Sequence, residues 1–172
     1  MKRYLLLLFP IFLAAFSTID LKPVDGDGSV TFVIKNFGVN TKGEFKGLKG
    51  IIKWDAANPE NSSFNVSVDV NTINTGIDMR DNDLKKESYF NAEKYPTISF
   101  VSTAVSAGNV TGNITIKGVT SEISIPFTAT PDGNGYLFEG KFLLNRKDFG
   151  VGGGSFVLSD HVDVTLKVHT QP

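Results

Sequence analysis

The sequence predicts an all-β protein whose strands close most economically into an eight-stranded antiparallel up-and-down barrel. Three observations carry this expectation. From Ser29 onward, apolar and polar residues alternate at period two, the spacing that puts one face of each strand on a core. The breaks between runs are short and built from turn formers, which makes successive strands antiparallel neighbours. One polar segment, Arg80 to Phe100, interrupts the pattern, and at about twenty residues it is far longer than an ordinary connection of about 4–6.

Taken in order, the chain opens with Met1-Lys2-Arg3 and an apolar run from Tyr4 to Ala15, followed by Ala15-Phe16-Ser17. This reads as a signal peptide over residues 1–17, cut after Ser17; the run falls short of the roughly 20 residues a membrane span needs, and Pro10 interrupts it. The rest, 18–172, is the length of one domain, 155 residues (172 less 17). The expected strands are Ser29–Asn36, Phe45–Trp54, Ser63–Asn71, Thr97–Thr103, Val110–Lys117, Glu122–Ala129, Tyr136–Leu144 and Val162–His169. Ser63–Asn71 is the cleanest, with Phe64, Val66, Val68 and Val70 on one face and Ser63, Asn65, Ser67 and Asp69 on the other. Turns fall at Ala57-Asn58-Pro59, Ser106 to Asn109, Lys117-Gly118 and Pro131 to Gly135. Asp78–Glu87 is the one segment that asks for helix, with Asp78 as N-cap and Lys85-Lys86 late, and it forms a lid over one barrel end. Closure removes exposed strand edges, although alternation alone fits a sandwich as well.

The strand parity defines a lumen. Its expected ligand-facing set is Phe32, Ile34, Ile52, Trp54, Phe64, Val66, Val68, Phe90, Ile98, Phe100, Ile114, Ile116, Phe127, Phe138, Phe142, Leu144, Arg146, Phe149, Val164 and Leu166. The side chains leave two outcomes open, a filled core at ordinary packing density or a cavity for one apolar ligand. Arg146 shares the parity of Phe142 and Leu144 and points inward near a barrel end. A charge there needs a partner: a ligand phosphate or polar head, or an ion pair with Asp148, Asp81 or another lid acid. Arg80 and Asp81 read as a pair that fastens the lid.

Several pieces, in this order and spacing, resemble the YceI-like proteins, lipid-binding exported β-barrels of bacteria. They are Val24-Asp25 with Ser29 to Phe32; Gly43-Glu44-Phe45 with Gly50 to Ile52; Asn74-Thr75-Gly76; Arg80-Asp81 with Leu84; Tyr89-Phe90-Asn91; Lys94 to Phe100; Gly112 to Thr120; and Asn145 to Val151. The resemblance implies a lipocalin-like barrel, periplasmic or secreted, that sequesters a polyisoprenoid, isoprenoid quinone or fatty-acyl chain. It tips the lumen toward an open cavity. Each buried methylene contributes about 0.8 kcal/mol, so a chain of several five-carbon units binds tightly without a specific headgroup contact. Two positions depart from the family pattern, Gly28 and Asp83, where histidines are common; no role of those histidines transfers.

Other chemistries find little support. Without cysteine there are no disulfides and no thiol catalysis. No Gly-x-Ser-x-Gly elbow occurs and no histidine points inward as a base, so no catalytic residues and no cofactor are expected. Asp25-Gly26-Asp27-Gly28 lacks the downstream acid of a calcium loop and reads as a turn, and His161 and His169 are too far apart on a strand to share a metal ion. Removing the leader leaves 15 basic residues (17 less Lys2 and Arg3) against 18 acidic, a net charge near −3 that does not suggest a nucleic-acid or anionic-membrane surface, either of which would want a basic patch. The remaining alternatives are an enzyme acting on an isoprenoid or acyl lipid through Asp81, Asp83 or Arg146, and a filled-core interaction protein. Leu137, Leu143 and Ile51, on outer faces, permit a homodimer.

Overall fold

The alternating runs fold as one continuous antiparallel sheet in a computed structural model that describes residues 18–172. The expected signal peptide, residues 1–17, lies outside the described residues. The elements are β1 (Ile19–Val24), β2 (Val30–Asn36), β3 (Val39–Trp54), β4 (Ser63–Asn74), α1 (Asp78–Leu84), β5 (Thr97–Ser106), β6 (Asn109–Ile116), β7 (Val119–Asp132), β8 (Gly135–Asn145) and β9 (Leu158–Gln171). Strands β2 to β9 pair in sequence order, and β2 returns to β9 with Val30 opposite Leu166 and Ile34 opposite Val162. The up-and-down barrel is therefore closed, and the sandwich alternative is removed.

One strand was not expected. β1 pairs Ile19–Leu21 with Trp54–Ile52 of β3, then Lys22–Val24 with Gln171–His169 of β9. It lies in line with β2, so β1 and β2 act as a single interrupted first strand between β3 and β9. Asp25, in the break, explains the Asp25–Gly28 motif. Its carboxylate accepts the amide hydrogens of Gly47 (2.9 Å) and Leu48 (3.0 Å), where the β3 ladder slips against β4. Gly47 adopts φ +72°, the left-handed region that suits glycine, and the bulge bends the long strand around the barrel.

The barrel has two unlike ends. At the base, the Trp54 ring meets Phe64, Phe127, Tyr136 and Phe138 at centroid separations of 5.2–6.4 Å, mostly edge to face. Leu21 of β1, wholly buried, completes that plug. At the other end lie the β2–β3 hairpin, the segment from Thr75 to Pro96, and the loop between β8 and β9. The helix is shorter than the Asp78–Glu87 expected: α1 stops at Leu84, and its N-cap is Ile77 rather than Asp78. Beyond it the chain continues in tight turns, with Phe90 N–H donating to Leu84 and Tyr95 N–H to Asn91. These turns place Phe90 edge-on to Phe45, at 5.6 Å, under the lid.

Candidate functional site

Between the aromatic plug and the lid the lumen is open, with a cavity of about 270 Å³ and an almost wholly apolar wall. For scale, an engineered apolar cavity of about 150 Å³ stays dry and binds benzene. The wall is built by parity. Phe32 and Ile34 come from β2, Ile52 from β3, and Phe64, Val66 and Val68 from β4; Ile98 and Phe100 come from β5. On the far side stand Ile114 and Ile116 of β6, Phe127 of β7, Phe138, Phe142 and Leu144 of β8, and Val164 and Leu166 of β9. Phe90 from the lid and Phe149 from the β8–β9 connection cover them.

Trp54 requires a correction. It is buried but is not in the cavity wall: Phe64, Phe127 and Phe138 stand between it and the lumen, and it belongs to the base plug. Strand parity gives the facing of a side chain but not its depth, and Trp54 closes β3 at the base end. Further wall residues lie outside the expected set. Phe45 and Leu48 sit where the β3 bulge breaks the alternation, and Val30, Ile73 and Tyr89 lie at strand ends or in turns.

The two arginines at the lid end differ. Arg146 is buried and its guanidinium is saturated. Nε donates to Ser159 O (2.9 Å), Nη1 to the carbonyls of Val151, Gly152 and Gly153 (2.7–3.1 Å), and Nη2 to Leu158 O and Asp160 (both 3.3 Å). The expected acidic partners Asp148 and Asp81 are replaced by a cage of backbone carbonyls and Asp160. Arg146 thus lines the cavity as the clamp of the β8–β9 loop, with no donor left over. Arg80 also lines the cavity, and it does not pair with Asp81 directly. Both bind Thr75: Arg80 Nε donates to its hydroxyl and Nη2 to its carbonyl (each 2.7 Å). The buried Asp81 carboxylate accepts the Thr75 hydroxyl and, at 2.9 Å, its amide hydrogen. Lid fastening by these residues is therefore real but runs through a threonine.

The lid is tied across to the loop that Arg146 holds. Gly152 N–H donates to Ser88 O of the lid (3.0 Å), and from the β6–β7 turn Lys117 Nζ donates to Gly150 O (2.7 Å), which ties the same loop to the barrel. Gly152 has φ +64°, and a Cβ there would come within 2.9 Å of the Tyr89 ring and 3.1 Å of Arg146 Nη1. Asp160 couples this assembly to the surface. A hydrogen bond from Lys147 and the charges of Lys147, Arg146 and His161 hold its carboxyl below the usual carboxylate range, against some desolvation. Asp83 points away from the cavity and pairs with Lys86 at 2.6 Å.

The overall barrel is shared with known proteins. The model of the YceI-like domain matches residues 23–170. The chain belongs to the YceI-like family. A UPF0312 protein of Pseudomonas paraeruginosa is 32% identical over 159 residues, covering 84% of this chain and 83% of its own. Among solved structures, Burkholderia cenocepacia BcnA is 29% identical with a TM-score of 0.77, over 86% of this chain and 94% of that one. A domain from Saccharophagus degradans, described as polyisoprenoid binding, superposes with a TM-score of 0.70 over 88% of this chain and 97% of that one; at 18% identity it speaks for the fold.

Proposed function

We propose that this YceI-like protein binds one long-chain apolar lipid of polyisoprenoid, isoprenoid quinone or fatty-acyl type in the barrel lumen, and sequesters or carries it outside the cytoplasm. The observation that carries the reading is the cavity itself. A closed barrel of eight strands is either filled by its own side chains or holds one small ligand, and this one retains an apolar space walled by phenylalanine and branched aliphatic residues. The S. degradans domain described as polyisoprenoid binding has the same architecture, which supports the ligand class. Every wall residue named above contributes contact area, so recognition reads the length and width of the chain. Of the residues an enzymatic reading would use, Asp81 and Arg146 are engaged in the lid and loop, and Asp83 pairs with Lys86 at the surface. An exported location follows from the expected leader at residues 1–17. In the described part, no helix is long and apolar enough to cross a membrane.

Lipid extraction and native mass spectrometry of the purified protein test this. A single lipid per chain is expected. Leu166→Trp, placed between Val30 and Gly140 in the wall, fills the lumen and should abolish co-purification while thermal unfolding stays cooperative. Purification of the wild-type chain without lipid, together with failure to take any up from detergent, would overturn the reading.

A further inference from the structure

Three loops at the lid end carry large apolar side chains that the fold leaves in solvent. Phe37 and Val39 tip the β2–β3 hairpin, Ile77 and Met79 mark the approach to α1 and its first turn, and Phe156 and Val157 project from the β8–β9 loop. They form one rim around the cavity. Phe37 N–H donates to Val157 O at 2.8 Å, and Asn36, Thr41, Thr75, Arg80 and Leu158, their chain neighbours, all stand in the cavity wall.

Folding does not account for Phe37. It sits at φ +50° before Gly38 at +77°, a two-residue hairpin turn in which asparagine is favoured and a bulky side chain is strained. It is also 76% exposed, so no burial offsets that strain, and Phe156 is fully exposed. Strained non-glycine residues persist where a function holds them. Charge points to the partner. From Val30 to Gly43 the hairpin carries Lys35 and Lys42 and no acid, and residues 150–158 carry no charge at all. On the third loop Asp78 stands between Ile77 and Met79, so the basic flank is that of the hairpin; separate apolar tips beside Lys35 and Lys42 suit a fluid anionic interface, which moulds itself around each tip.

We propose that this rim docks the lid end onto an anionic lipid bilayer, with Phe37 and Phe156 entering the headgroup region and Lys35 and Lys42 facing lipid phosphates. The cavity then opens at the surface that supplies its cargo; in that respect the inference rests on the lipid-binding reading. The test uses the full chain, Phe37→Asn, which suits the turn, and Phe156→Ser, which disturbs no strand. Flotation with phosphatidylethanolamine–phosphatidylglycerol vesicles should show each single variant partitioning about tenfold less than wild type, and the double variant hardly at all. Phosphatidylcholine vesicles should bind the wild type more weakly. Uptake of an isoprenoid quinone, read by native mass spectrometry, should slow in the variants from doped vesicles and stay unchanged from detergent micelles. Variants that float like wild type overturn the inference. So does a wild-type chain that fills from micelles but ignores vesicles, or a dimer that Phe37→Asn converts to monomer. Flotation needs no cargo, so a chain that fills from neither source strikes the lipid-binding reading while the rim is still judged by the variants.

Discussion

The guanidinium of Arg146 is held by five backbone carbonyls and one carboxylate, and each of its N–H groups is spoken for. Its side chain is therefore part of the architecture of the β8–β9 loop. Removing it strands several carbonyls away from water and leaves Asp160 without a buried partner, a cost of about 3 kcal/mol. Arg146→Met should lower Tm by about 6–12 °C. Arg146→Lys should recover little, because three donors on a flexible stem cannot reach the same fork of acceptors. Differential scanning calorimetry measures both; rescue by lysine would show that the charge alone matters. Strand parity points Arg146 inward, and it is buried in the cavity wall; its partners are not legible in the sequence, because backbone carbonyls carry no residue identity.

At the scale of elements, one hydroxyl joins two of the residues that fasten the lid. Thr75 links the buried Asp81 carboxylate to Arg80, and it stands where β4 ends and α1 has not begun. Thr75→Val keeps the shape and removes that link, at about 2 kcal/mol. Hydrogen exchange should rise over residues 75–96 and leave β6–β8 unchanged; uniform loss of protection would mean the barrel, not the lid, depends on Thr75. The strands were legible wherever the alternation is clean, as in β4 and β6. β1 was missed because Ile19–Val24 is six residues long with a lysine and a proline, and it forms only against two distant strands. β3 extends six residues before the expected Phe45 because Val39–Glu44 is polar after Val39 and shows no apolar alternation, while the bulge at Gly47 shifts the parity that delivers Phe45 and Leu48 to the cavity. The lid helix was overextended because its favourable charges continue past Leu84 while the backbone turns to bring Phe90 inward.

At the scale of the molecule, Asp160 ties the buried clamp residue Arg146 to Lys147 at the surface. Its folded carboxyl titrates below the unfolded range through the Lys147 hydrogen bond and nearby positive charge. Its stabilising contribution is thus complete above about pH 4 and fades as the pH falls through the lowered folded value. Wild type should unfold at higher temperature than Asp160→Asn near neutrality, with the gap narrowing below about pH 4. A gap independent of pH, in melts followed by circular dichroism, would mean that the carboxylate charge is not involved. The aromatic plug around Trp54 has a consequence of a different kind. A tube stoppered at one end cannot be threaded, so any guest must enter and leave by the same door and always trails the same end outward. A receptor for such a protein would meet its cargo in one polarity only, and a guest longer than the shaft would advertise its excess length at the doorway.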